Sequence, residues 1–576
     1  MSKNEGSKPA AEVRRSASQI SFGHLPEQTV DINGGIWKVT KWRNTKLEHG
    51  VDTDALMGEV LAAASPWANA GKDHDFSQNV RSGRRKLTVR SLNRDDGIEV
   101  SPFPKIWRCH KCHRVHRNTT SRCQCGAEGG RQQVHFVCFC TNCGDVSEPP
   151  IFTCKSHNEV TLEYPGTMSA SQIIQRCPSC QAVTRKGFAG AKCPRCSRQT
   201  TAQVHRAASV FTPRSVVIVN AADRAQQERL EHAGGAPGAL DWVINGMQSQ
   251  APDKGAPSVD AMRALLRDKG VPEALIGKFI ADLAESGVTQ RETASIPEQM
   301  REDCEKEARA IALGLMKSRA TLKSLQEAAS EPTRDVYKVD YPKWLRFAGL
   351  SGVDLADRFP VLTGMFGFTR GSSTNPQESI LVPFQDDRGD YVVYGETMET
   401  EALFVRLDAV RVLKWLCHIG ATGRTAATEV EARLAILQAM AEDPTGDVRQ
   451  IVTTLVHSYC HRFIRIAAVY TGTERSSLSE YLVPSHLGFF VYAAARGDFV
   501  LGGLQAVFEG ELHRLLKELV DGEHRCALDP GCGDTGGACM ACLHLGEPSC
   551  RLFNQHLDRA TLSGPDGYLT FQVGAG

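Results

Sequence analysis

At 576 residues and a formal net charge of +1, the chain is long enough for several domains and has the make-up of an ordinary globular protein. No run approaches the roughly 18 apolar residues that a membrane-spanning helix needs, and the polar N-terminus MSKNEGSKPAAEVRRSASQ lacks an apolar secretory core. A membrane association is therefore not expected, and a cytoplasmic location is.

The twenty cysteines are unevenly spread: twelve lie between Cys109 and Cys196, five between Cys526 and Cys550, and only Cys304, Cys417 and Cys460 stand elsewhere. In a reducing compartment, cysteines paired at short spacing point to metal. Charge is uneven as well. Residues 101–206 carry fifteen Lys and Arg against five Asp and Glu, while the chain after 206 is acidic, near −11. A basic module is joined to an acidic body.

Residues 1–20 read as a disordered tail, and 21–106 as a β-rich segment. Within it, Arg84-Arg85-Lys86-Leu87-Thr88-Val89-Arg90 reads as a strand, either a solvated edge or a phosphate-facing one.

From 107 to 206 the chain alternates cysteine knuckles with short strands. Cys109-x-x-Cys112 precedes Cys123-x-Cys125; Cys140-x-x-Cys143 precedes Cys154-x-x-His157, with Cys138 close by as a rival; Cys177-x-x-Cys180 precedes Cys193-x-x-Cys196. Roughly ten to twelve residues separate the halves of each set, enough for two short strands and a turn, which is the geometry of a zinc ribbon. The expectation is three consecutive zinc sites. Between the knuckles stand Arg108, Lys111, Arg114, Arg117, Arg122, Arg131, Arg185, Lys186, Lys192, Arg195 and Arg198. Such a spread suits tracking of a DNA or RNA backbone more than base reading. Trp107 and Phe188 are candidates for stacking on bases, or for packing a small core. The alternative for the basic face is docking on an acidic protein surface.

Residues 207–334 read as a buried strand at Ser215–Val219, a loose Gly/Ala/Pro-rich excursion, and a helical arm over 258–329. The last part of that arm is one long charged helix. The stretch 335–576 reads as a mixed α/β domain: strands at SILVPF, DYVVYGE and EALFVRL with a turn at Asp386, Asp387 and Gly389; then three helices, the last a buried one over 447–472; then strands at SSLSEYLVP, GFFVYAAA and FVLGGLQAVF and a surface helix. The whole is expected to be a multidomain α+β or mixed α/β protein.

On the buried helix His457 and His461 share one face at i and i+4. With Ser458, Glu480 and the Gly502-Gly503 turn they are either satisfied core polar groups or a hydrolase pocket, such as that of a nuclease. The chain has no Gly-x-x-x-x-Gly-Lys-[Ser/Thr] phosphate loop and no dinucleotide fingerprint, so energy-driven work needs a partner. At the C-terminus Cys539-x-x-Cys542 is a local grip. Cys526 or Cys532 before it and Cys550 after it complete a tetrahedral thiolate site, with a helical tail carrying Phe553 and Leu557. About four zinc ions per chain are expected.

The motifs His457-Ser458-Tyr459-Cys460-His461, Ser479-Glu480-Tyr481, Leu501-Gly502-Gly503-Leu504, Cys526-x-x-Asp529-Pro530-x-Cys532, Gly537-Ala538-Cys539-x-Ala541-Cys542, Glu547-x-Ser549-Cys550 and Asn554-x-x-Leu557-Asp558-Arg559 follow one another in order. In this the C-terminal third resembles the cysteine-rich domain of unknown function carried by many helicases or their companion subunits. As a stand-alone chain it is similar to the DrmB family of the DISARM anti-phage systems. The resemblance implies a heterodimeric partnership with a superfamily-2 helicase of the DrmA type, engagement of phage DNA, and zinc at the C-terminal cysteines. It implies no catalytic residue. The three knuckle sets before residue 200 depart from that pattern.

Overall fold

The computed structural model describes residues 11–13, 23–92, 97–117, 122–127, 130–166, 169–252, 266–267, 271–273, 275–278, 295–372, 375–494, 501–522, 524–546, 549–550, 552 and 554–571. The architecture is mixed α/β with several sheets. The chain divides into two units, one of residues 1–216 and 363–396, the other of residues 217–362 and 397–576.

In the first unit an antiparallel sheet runs in the order Ala11–Val13, Ile98–Pro102, Gly35–Trp42, Thr29–Ile32. Ala11–Val13 belongs to the stretch read as a tail, and it pairs in register with Ile98–Val100. The apolar residues Val30, Ile32, Val39, Trp42, Ile98 and Val100 bury their faces against Met365, Phe368 and Val392. The basic run 84–90 is a strand only from Leu87 to Ser91. It lies between Lys46–Leu47 and the parallel partner Tyr391–Tyr394, so it is not an edge. Arg85 donates to the Gly389 carbonyl and Arg90 approaches Asp386 at 3.9 Å, so neither of the two readings of that run describes it fully. The expected turn is present: Gly389, at φ 82°, donates its N–H to Asp386 O.

Three small antiparallel sheets fill residues 107–204, centred on Trp107–Cys109, Phe136–Phe139 and Ile174–Arg176. A compact core of Ile106, Val134, Phe136, Leu162, Ile173 and Phe188 lies among them. Phe188 is fully buried and so packs rather than stacking on a base.

The second unit is built on a sheet in which Leu478–Val483 and Gly488–Ala493 form an antiparallel hairpin, and Gly488–Tyr492 pairs with Ala402–Arg406. The helix Asp447–Thr471 packs against both hairpin strands and is apolar almost all round, as its sequence predicts. Several expectations change here. The Gly/Ala/Pro-rich excursion folds into helices Arg224–His232 and Gly235–Ile244, because Leu230, Leu240, Val243 and Ile244 recur at helical spacing and are buried. The first part of the arm falls largely outside the described residues. Its long helix ends at Leu315, and a second begins at Leu322 with Thr321 as its cap. Met300, Cys304, Ala308, Ile311 and Leu315 sink one face of Glu298–Leu315 into the core. FVLGGLQAVF was read as a strand, but from Gly503 it is helical. Leu504, Val507 and Phe508 stand three and four apart, and Glu401 accepts the N–H groups of Leu504 and Gln505 at 3.1 Å each.

Candidate metal centres

Five times in residues 109–198 the same backbone device recurs. The residue after the second ligand is left-handed, at φ between 53° and 73° (His113, Gly144, Asn158, Gln181 and Ser197). Its N–H returns to the carbonyl of the first ligand, at 3.0, 2.9, 2.7, 2.9 and 2.9 Å in that order. The first ligand's own N–H is held by the residue five further on, as in Cys109 N to Arg114 O at 2.9 Å and Cys193 N to Arg198 O at 2.7 Å. This turn aims two side chains to one point without help from a larger core. His157 closes one such knuckle, so the backbone sets it in a ligand position beside Cys154.

Three groups result: Cys109, Cys112, Cys123 and Cys125; Cys140, Cys143, Cys193 and Cys196; and Cys154, His157, Cys177 and Cys180. The first is the set that the spacing predicts. The other two exchange halves. The pair Cys140/Cys143 meets Cys193/Cys196 across 50 residues, with Cys143 Sγ 3.5 Å from Cys193 Sγ, and encloses the Cys154/His157/Cys177/Cys180 group as a nested inner site. Sequence neighbours were paired in the expectation, whereas the strand Phe136–Phe139 pairs with Thr201–Val204 and carries the outer knuckles together. Cys138, the rival, is buried on that strand and belongs to no group.

The closest sulfur–sulfur contacts in these groups include 3.4 Å (Cys112–Cys123) and 3.8 Å (Cys154–Cys180), and all ligand atoms of a group lie within 4.8 Å of one another. A tetrahedral site with metal–sulfur bonds of about 2.3 Å has edges of about 3.8 Å, whereas a disulfide needs about 2.05 Å. In the inner site His157 Nδ1 stands 3.6 Å from both Cys154 Sγ and Cys177 Sγ. Its ring draws the Cys154 thiol down to about 6, and the Arg198 backbone N–H draws Cys196 down to about 7. These two shifts favour the thiolate that a metal requires, whereas burial pushes Cys140 and Cys143 up.

The C-terminal group is Cys526, Cys532, Cys539 and Cys542. Cys526 and Cys532 are therefore both members, and Cys550 is not. Cys526 Sγ lies 3.5 Å from Cys539 Sγ, and Cys532 Sγ 3.7 Å from Cys542 Sγ. Arg465, from the helix Asp447–Thr471, donates to the carbonyls of Met540, Ala541 and His544 and so clamps the knuckle loop. Arg559 grips Asp529 with two bonds of 2.7 Å, and Asp529 in turn accepts the Cys526 N–H at 2.9 Å. Among the described residues beyond Cys550 the chain turns helical at Ala560–Ser563, and Asn554 and His556 before it are left-handed at φ 58° and 54°. Leu557 is buried there, and Phe553 lies outside the described residues.

Cys550 stands instead with His457, His461 and Glu480, all four buried. His457 Nε2 is 3.4 Å from Cys550 Sγ and 3.3 Å from Glu480 Oε1; His461 Nε2 is 3.2 Å from Glu480 Oε2. The opposite nitrogens face carbonyls: His457 Nδ1 lies 3.2 Å from His556 O and His461 Nδ1 2.9 Å from Leu543 O. Burial pushes the Cys550 thiol well up, with Glu480 adding to it. Ser458, placed in the same pocket by the sequence reading, points elsewhere and accepts the Asp558 N–H at 2.9 Å. The Gly502-Gly503 turn opens the helix capped by Glu401 and is not one of the four.

A family model described as a domain of unknown function (DUF8724) matches residues 16–222. That span holds all three N-terminal groups and none of the C-terminal motifs. No curated protein matches the chain.

The basic residues divide by their surroundings. Arg108 lies over the Tyr164 ring at 4.5 Å and Arg185 over Phe152 at 4.4 Å. Arg114 pairs with Glu159 at 3.4 Å and Arg117 with Glu148 at 2.6 Å. These four are engaged within the unit, and Trp107 and Arg131 are partly covered. Arg122 is exposed, as are Lys111, Lys186, Lys192, Arg195 and Arg198. Sequence reasoning missed Arg370, which is fully buried and donates to Gly144 O and Val210 O at 2.6 Å each. It ties the outer metal knuckle to its own strand. Burial pulls it down to about 10, with Glu27 opposing. An arginine in an apolar strand was the only signal for it.

Proposed function

We propose that this chain is a zinc-stapled, nucleic-acid-binding accessory subunit that works beside a superfamily-2 helicase of the DrmA type in DISARM-like defence against phage, in the cytoplasm. The metal of the four cysteine-rich groups is zinc in this reading, since tetrahedral thiolate and imidazole sets of this size suit it. The observation that carries the DNA role is the exposure of basic side chains across the N-terminal knuckle module. Lys111, Lys186, Lys192, Arg195 and Arg198 are exposed in a module whose lysines and arginines outnumber its acids three to one, fifteen to five. Cations spread over a rigid, metal-fixed surface meet phosphates with little ordering cost. The helicase partnership and the defence role rest on the C-terminal motifs and on the lack of a phosphate loop in this sequence. The enclosure of His457, His461 and Glu480, at 0% exposure for each side chain, weighs against a nuclease site there.

The test is fluorescence anisotropy of the full chain with duplex and single-stranded DNA across 50–200 mM salt. Wild-type affinity is expected to fall steeply with salt. Lys192→Glu/Arg195→Glu/Arg198→Glu should weaken binding and lower the log–log salt slope by about 3, at about 0.9 per phosphate contact. Salt-independent binding, or an unchanged slope in the triple variant, would overturn the reading.

A further inference from the structure

We infer that His457, His461, Glu480 and Cys550 bind a further divalent transition-metal ion, zinc by donor chemistry, in a closed structural site separate from the Cys526/Cys532/Cys539/Cys542 group. This inference does not rest on the proposed DNA role.

Geometry is the first support. Bonds of about 2.0 Å to nitrogen and oxygen and about 2.3 Å to sulfur give tetrahedral edges of about 3.3 Å, and about 3.5 Å where sulfur takes part. The contacts seen are of that length: 3.3 Å from His457 Nε2 to Glu480 Oε1, 3.2 Å from His461 Nε2 to the other oxygen of the same carboxylate, and 3.4 Å from His457 Nε2 to Cys550 Sγ. All four donor atoms lie within 4.8 Å of one another. Orientation is the second. Each ring turns Nδ1 to a backbone carbonyl, which fixes the proton there and leaves the Nε2 lone pair facing the centre. His457 Nε2 can accept from the Cys550 thiol at 3.4 Å, but His461 Nε2 faces a carboxylate oxygen, lone pair to lone pair. Buried His461 Nε2 has no hydrogen-bond partner among the described residues, although a carboxylate oxygen lies 3.2 Å away. A cation between them resolves that opposition.

Charge balance is the third. Without a metal, pairing both rings with Glu480 needs two buried imidazolium ions for one carboxylate, whereas a neutral His457 that accepts from the Cys550 thiol keeps its Nε2 lone pair 3.3 Å from Glu480 Oε1. With a dication, one carboxylate, one thiolate and two neutral imidazoles sum to zero. On binding, the Cys550 thiol gives up its proton to solvent, one proton per ion, and no oxidation or reduction takes place. The backbone supports the ligands: the Asn554 N–H points to Cys550 Sγ at 3.2 Å, and the Glu480 N–H donates to Ser549 O at 3.2 Å. Four buried protein donors leave no open position for substrate, so the ion joins the helix Asp447–Thr471, the strand Leu478–Val483 and Cys550.

The test counts zinc in the full chain by elemental mass spectrometry and native mass. Cys550→Ala should lose one ion relative to wild type, Cys539→Ala one, and the double variant two. Cobalt-loaded wild type should show, besides the tetrathiolate bands, d–d absorption of a site with a single thiolate, which Cys550→Ala abolishes. Equal metal content in wild type and folded Cys550→Ala, or single losses that do not add in the double variant, would overturn the inference. Should Cys550→Ala fail to fold, anomalous diffraction at the zinc edge on the wild-type chain decides. A peak within bonding distance of His457 Nε2 and Cys550 Sγ supports the site, and none there overturns it.

Discussion

Cys550 Sγ lies 3.4 Å from His457 Nε2, although 93 residues separate them in the chain. The contact removes one cysteine from a group that would otherwise have five, and adds a thiol to a histidine pair that would otherwise be a core ornament. Two neighbouring donor sets thus share the C-terminal segment: a knuckle group near the surface and a sealed mixed group beneath it.

The nesting of the two N-terminal groups makes their loss unequal. Cys177→Ala should release one metal ion and leave the outer site closed. Cys193→Ala should release one ion and open the chain between Gly144 and Lys192, which Cys140/Cys143 and Cys193/Cys196 otherwise pin at both ends. Limited proteolysis of the two variants checks this. New cleavage across that segment is expected mainly in Cys193→Ala.

Arg370 offers a second measurement. Replacing it by Ala leaves Gly144 O and Val210 O without their buried donors, at about 1–3 kcal/mol each. A loss of about 3 kcal/mol or more in the denaturant stability of the 1–216/363–396 unit is expected. Arg370→Lys should recover little, because an ammonium cannot donate along two directions from the same plane. Exposed Arg388→Ala should stay within about 0.5 kcal/mol of wild type.

His486 sets a pH dependence in the other unit. It is buried, lies 2.8 Å through Nε2 from Cys304 O, and is pulled down to about 4, chiefly by burial. Its folded value lies below its unfolded one near 6.5, so between these values the unfolded chain binds the extra proton. The stability it contributes is full above pH 6.5 and is lost as pH falls toward 4. His486→Gln should flatten that acid limb, by at most about 3 kcal/mol at about 1.4 per pH unit. Denaturant midpoints of wild type and variant from pH 7.5 to 4.5 measure it. Parallel curves would refute the assignment.

How much of this was legible depends on the range of the contacts involved. Each Cys-x-x-Cys could be read, because a knuckle is local: two ligands and a residue able to take a positive φ, such as Gly144 or Asn158. Which knuckles meet could not, since that is decided by the pairing of Phe136–Phe139 with Thr201–Val204 across the whole module. The face shared by His457 and His461 follows from helical period. The arrival of Glu480 and Cys550 on it follows from tertiary packing and has no period to read. The Gly/Ala/Pro-rich stretch after residue 222 was misread for a related reason. Small residues weaken an isolated helix, but here burial of Leu240, Val243 and Ile244 overrides propensity. Tyr391–Leu407 is one strand where its sequence showed two, because Gly395 lets the Thr363 carbonyl approach to within 2.2 Å of where a Cβ would stand.

One site inside another also gives the module a history. During synthesis Cys140 and Cys143 emerge first yet must wait for Cys193 and Cys196, while the inner ligands, 20 residues apart between His157 and Cys177, can close sooner. Loop closure costs about 0.6 kcal/mol more for each doubling of length, and a filled inner site shortens the slack that the outer one must gather. The order of the ligands along the chain thus favours closure of the inner group before the outer one.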